Sequence, residues 1–105
     1  MSFLDNLSNI NKPNNKTKVK ELWDVEGIIK NKSNQVFKFD LRPLKNNIKG
    51  GSFKTKADKM VFDIKDQWII VDVNELHNYL EENKLKKVQL EDLISNLEWN
   101  IVLPK

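Results

Sequence analysis

The chain has 105 residues, no cysteine, a single histidine and a formal net charge of +3, enough for one domain that buries about 60–65% of the surface its unfolded chain exposes. Without cysteine there are no disulfides, thiolate metal sites or cysteine nucleophiles, and the lone His77 argues against a histidine-rich metal centre; a cytoplasmic setting is expected over an oxidising one. No apolar run approaches the ~20 residues of a membrane helix, and residues 1–10 lack the basic start and cleavage site of a secretory signal, so no membrane partner is expected.

In chain order, Ser2 can cap a short helix in which Phe3, Leu4, Leu7 and Ile10 share a stripe, and residues 11–18, with Pro13 and paired asparagines, read as a polar linker. Residues 1–18 are thus expected to be an appended helix and linker, and residues 19–105 a single domain. Next comes a hairpin. Trp23, Val25, Ile29, Phe37, Phe39 and Leu41 reach one core only if they share a face, because successive strand side chains alternate. Pairing Glu26 with Asp40 satisfies this and leaves Lys32, Ser33 and Asn34 as the loop, with Asn34 in the left-handed position.

The opposite face then carries Asp24, Glu26, Lys30, Lys38, Asp40 and Arg42, with Asp24 against Arg42 and Lys38 diagonal to Glu26. Such a face is either a divalent-metal site built on Glu26 and Asp40, or a balanced ladder of surface charges.

Pro43 stops the strand and Gly50 with Gly51 marks a bend. Thr55 followed by Asp58 suggests a helical turn. Residues 60–65 alternate as a half-buried strand, and residues 68–73 form a nearly continuous apolar one. Asp72 with Glu75 is a capping box opening a helix whose buried stripe is Leu76, Tyr79 and Leu80. Leu90, Leu93, Ile94 and Leu97 have helical spacing, and residues 99–103 close as a strand before Pro104. The pattern predicts an α+β domain with a mostly antiparallel sheet of about five strands and helices packed on one face.

The run from Gln35 to Leu80 combines a strand ending in Asp40, a Lys/Gly loop, Thr55 to Asp58, an alternating strand, Trp68 to Asp72 and a helix opening on Asn74, Glu75 and Leu76. It resembles small phage-type nucleases of the PD-(D/E)xK superfamily, over a little under half of the chain. In that likeness Glu26 stands in the Glu-x-Lys element, and Ile28 occupies the place of the lysine that activates the attacking water. The resemblance implies a phage or mobile-element protein acting on nucleic acid. Were it catalytic, Glu26 and Asp40 would hold Mg²⁺, with Asp24 as a further ligand and Lys38 or Lys30 near the scissile phosphate; with Ile28 in place, a nuclease-like fold without catalysis and without a cofactor is the expectation.

The basic segment adds a separate argument. Arg42, Lys45, Lys49, Lys54 and Lys56 can neutralise phosphates, Ser52 and Thr55 offer hydroxyls and Phe53 a stacking face. The alternative is a solvated loop with Phe53 tucked against the sheet. Nucleic acid, or an acidic protein surface, is the partner these residues suit. A second class of function is a non-catalytic inhibitor that binds a host defence nuclease or nucleoprotein complex.

Overall fold

The computed structural model describes residues 2–32, 34–43, 54–85 and 88–105. Its strands are β1 (Leu7–Asn11), β2 (Val25–Ile29), β3 (Val36–Pro43), β4 (Lys59–Asp63), β5 (Gln67–Asp72) and β6 (Asn100–Pro104); its helices are α1 (Asn15–Glu21), α2 (Val73–Glu82) and α3 (Leu90–Asn96). The strands lie side by side in chain order. Every neighbouring pair is antiparallel except β3–β4, which is parallel. The chain is therefore α+β with a mostly antiparallel, curled sheet, and no helix among the described residues is long and apolar enough to cross a membrane.

Alternation along the strands divides the interior into two cores. On one face Met60, Phe62, Ile69 and Val71 meet Val73, Leu76 and Leu80 of α2 and Leu90 and Leu93 of α3. On the other, Val25, Ile29, Phe37, Phe39, Val61, Trp68, Ile70 and Leu103 gather inside the curl of the sheet around Phe3 and Leu7. β4 is consequently buried on both faces rather than half-buried, Met60, Val61 and Phe62 all being inaccessible. The expected capping box at α2 is formed on one side, Asp72 Oδ2 accepting from the Glu75 N–H at 3.0 Å. The Glu75 carboxylate instead reaches the chain entering β6, accepting from the N–H groups of Glu98 (2.9 Å) and Trp99 (3.2 Å).

The N-terminal expectation is overturned. Only Phe3–Asn6 turns, as a single 3-10 turn, and Leu7–Asn11 is the edge strand β1 paired with β2. The i, i+3, i+4 spacing of Phe3, Leu4 and Leu7 loses to what the fold offers. Phe3 inserts edge-on between Phe39 (5.3 Å between centroids) and Trp68 (6.1 Å), Leu7 is buried, and Ile10 stays largely exposed. Pairing is close at Gly27, where a Cβ would lie 3.0 Å from the Ser8 carbonyl oxygen and 3.3 Å from Leu7 Cβ.

Residues expected to be linker contain α1 instead. Asn14 caps it by accepting from the Thr17 N–H at 2.8 Å, and Leu22 ends it in the left-handed conformation at φ 64°. Nor does a helical turn start at Thr55. Its hydroxyl accepts from the Ala57 N–H (3.1 Å), while Asp58 locks the entry to β4 onto β3: its N–H donates to the Lys38 carbonyl (2.8 Å) and its Oδ2 accepts from the Lys38 N–H (2.9 Å).

Candidate functional site

The hairpin of β2 and β3 keeps the expected faces but not the expected register. Val25 pairs with Phe39, Glu26 with Lys38 and Ile28 with Val36, two residues away from a Glu26–Asp40 pairing. A shift of two leaves every side chain on its original face, so the apolar pattern tolerates both alignments. The connection is longer than three residues, and Asn31 rather than Asn34 takes positive φ, at 62°.

The charges are redistributed accordingly. Glu26 and Asp40 are not opposite one another. Asp24 lies near enough to Arg42 for its charge to help raise the guanidinium pKa, while its Oδ2 accepts from the Leu41 N–H at 2.8 Å and its Oδ1 lies 3.1 Å from Lys18 Nζ. Asp40, only 4% exposed, receives both arms of the Arg42 guanidinium, Nε to Oδ1 at 2.9 Å and Nη2 to Oδ2 at 2.8 Å. This hydrogen bonding to Asp40 raises the Arg42 pKa further above its usual value, against the opposing effect of burial. With both Asp40 oxygens so engaged, metal ligation there would have to displace a charge-assisted bidentate pair. Among the described residues no three of His, Asp or Glu gather as a ligand set for a metal ion.

Lys38, assigned above to a scissile phosphate, projects towards Glu21 (3.9 Å) and lies over the Trp23 ring at 5.3 Å from its centroid. Lys30 donates to the Asp5 carbonyl at 3.1 Å. Glu21 itself is held below its usual pKa, chiefly by the Trp23 indole N–H that it accepts at 2.8 Å.

Of the basic segment, Arg42, Lys54, Thr55 and Lys56 are described, whereas Lys45, Lys49, Ser52 and Phe53 lie outside the described residues. The returning chain is pinned beside the end of α1, Lys56 N–H donating to the Glu21 carbonyl (3.0 Å) and the Thr55 hydroxyl to the Leu22 carbonyl (3.4 Å). Lys54 thereby joins Lys18, Asp24, Asp40 and Arg42 in one open cavity of about 570 Å³, whose apolar lining is Val19, Leu22 and Leu41. α1 buries none of its residues and presents Lys16, Lys18 and Lys20 in seven positions.

A second cavity, of about 500 Å³, opens at one end of the curled face and is walled by Phe37 and Trp99, with Lys56, Asp58, Lys59, Asp72 and His77 among its lining residues. Lys59 is 6% exposed. Its ammonium lies 2.7 Å from Asp72 Oδ1, 3.8 Å from the centroid of the Trp99 ring and 4.6 Å from that of Phe37. Burial alone would raise the Asp72 pKa; the Lys59 ammonium and the amides of Glu75 and Asn74 outweigh it and hold the carboxyl below its usual range. Sequence reasoning passed over Lys59 and Lys18. A signal for Lys59 was present: it is in phase with Val61, on the face that alternation sends into the curl. No family model, no curated protein and no solved structure matches the chain.

Proposed function

We propose that the protein associates with nucleic acid through the basic surface formed by α1, Arg42 and the chain from Lys54 to Lys56, without cleaving it. The observation that carries this reading is the docking of Thr55 and Lys56 on the last turn of α1, which brings Lys54 into one groove with Lys18 and Arg42, both distant from it in sequence. Phosphates are the ligands such a groove suits, since lysines act as point charges along a backbone and impose little base preference. The nuclease resemblance supplies the partner class, and two features favour binding without hydrolysis: Asp40 is committed to Arg42, and Ile28 stands where the family uses a lysine. Replacing Lys18, Lys54 and Lys56 together with alanine is expected to weaken duplex DNA binding and flatten its salt dependence by about two to three units, at roughly 0.9 per phosphate contact. An unchanged slope refutes the reading.

A second reading, a non-catalytic protein that inhibits a nuclease or nucleoprotein complex by binding it, draws on Val19, which is 79% exposed beside the 43% exposed Leu22. Apolar side chains amid lysines suit a protein surface with an acidic rim. Loss of a co-purifying protein in Val19→Asp, with the nucleic-acid salt slope unchanged, would select it.

A further inference from the structure

We propose that the cavity at the open end of the curled face receives one unstacked base of a single-stranded nucleic acid, an inference that rests on the nucleic-acid reading and specifies its substrate class. The mouth of a curled or closed sheet is a recurrent place for ligand sites, and this one is built rather than incidental. Phe37 and Trp99 meet edge-on, with centroids 6.0 Å apart and planes at 74°, and Lys59 reaches into their angle from a buried backbone position. An ammonium has three protons to donate. Among the described residues Asp72 is the only oxygen acceptor that Lys59 Nζ meets, and its other protons face the Trp99 and Phe37 rings over which it lies. A flat ligand with an acceptor edge would meet the ammonium at that edge and lie against the part of Trp99 that is left half-buried.

The amides at the start of α2 do not supply the recognition. Val73 N–H donates to the Asp58 carbonyl (3.1 Å) and Glu75 N–H to Asp72 (3.0 Å). Recognition therefore falls to side chains. These offer positive charge at Lys56 and Lys59 and negative charge at Asp58 and Asp72, a balance that favours a neutral ring carrying both donors and acceptors over a bare anion. A nucleobase is such a ring. A base inside a duplex has its edges paired and its faces stacked, whereas an unpaired base can leave the stack and lie against aromatic side chains. Continuity with the basic groove completes the argument: Lys54 lines the groove, Lys56 and Lys59 line the cavity, and one short stretch of chain carries all of them. A strand whose phosphates follow Lys54 and Lys56 is led from the groove towards the cavity.

The test uses the full chain with fluorescein-labelled DNA and RNA oligonucleotides of about 12 nucleotides, a length within the usual range of single-strand sites, alongside the matching duplexes and free mononucleotides. Single strands are expected to bind about tenfold more tightly than duplexes, within the range that one base–aromatic stack contributes, and to quench tryptophan emission. Trp99→Phe, which keeps a ring beside Phe37, should abolish the quench while retaining binding. Asn74→Phe, a substitution at an exposed position on the cavity rim, should block entry and abolish the single-strand preference, leaving duplex affinity as it was. Equal affinity for single strands and duplexes with unchanged emission would overturn the inference and leave the groove reading standing. No binding of either would overturn both. Quenching by a mononucleotide, with the oligonucleotide binding no more tightly than its duplex, would assign the cavity to a free nucleotide and overturn the strand.

Discussion

Replacing Lys59 with methionine removes the ammonium while keeping most of the side chain's length and its contact with Phe37 and Trp99. The consequence for stability follows from what Asp72 is left with. Taking one member from a buried ion pair costs about 3–5 kcal/mol when the survivor stays fully buried. Asp72 is better placed, because its side chain is 21% exposed and its Oδ2 keeps the Glu75 N–H; solvent and this hydrogen bond reduce the expected loss to about 2 kcal/mol. In a domain of this size that corresponds to a fall in Tm of about 10 °C. Asp72→Asn in the same chain removes the stranded charge and retains a good N-cap residue, so the double variant should recover to within about 1 kcal/mol of the wild type. Thermal and urea unfolding of the wild type, both single variants and the double variant measure the coupling. A Lys59→Met protein as stable as the wild type, or a double variant no better than Lys59→Met, would refute the claim that this pair acts as a unit.

Asp40→Asn should cost about 1–2 kcal/mol in urea unfolding, because it weakens a charge-assisted bidentate contact with Arg42, and added Mg²⁺ should leave the Tm of both proteins unchanged; a metal-induced rise in the wild type, lost in the variant, would restore Asp40 as a ligand. Gly27→Ala should destabilise by about 1–2 kcal/mol, since its Cβ would meet the Ser8 carbonyl oxygen, which is backbone and yields little; hydrogen exchange should locate the loosening in β1 and β2. Because the Asp72 pKa is lowered in the folded state, its contribution is fully present above the ordinary value of 3.8 and lost as pH falls through the folded value. Acid unfolding of Asp72→Asn, compared with the wild type, should show a shallower loss of stability below pH 3.8.

What the sequence disclosed depended on whether a pattern had one physical solution or several. Trp68 to Val71, a short apolar run rich in β-branched residues, suits a strand covered on both sides, and β5 is that strand. Asp72 ahead of Glu75 identified the start of α2 because a capping aspartate acts through its own neighbours. The hairpin shows the opposite case. Its two-residue period fixes which face Phe37 and Phe39 share and leaves the alignment of Glu26 open, since Lys38 and Asp40 both satisfy it. The candidate metal pair depended on that unfixed quantity. β1 was illegible for another reason: Ser8, Asn9 and Asn11 have no strand preference of their own, and the segment is extended because β2 offers it an edge. The Lys59 cavity needed contacts across 40 residues, from Lys59 to Trp99, which no local pattern carries.

The sheet remains open, and that has a bearing on solubility. Among the described residues β1 and β6 each pair on one side only, so each offers a row of backbone groups to an extended chain, including another copy of this one. At β1 that row is broken by the register shift between Ser8 and Asn11, where Asn9 adopts φ 54°. At β6 five consecutive residues pair regularly with β5, and protection rests on Pro104, which has no N–H to offer, and on Lys105, whose ammonium is tied to Asp63. Among the described residues, resistance to edge-to-edge association is thus lodged in a left-handed asparagine and in Pro104 and Lys105 at the end of β6, all outside the two cores, and changes there would alter aggregation while leaving the unfolding free energy nearly untouched.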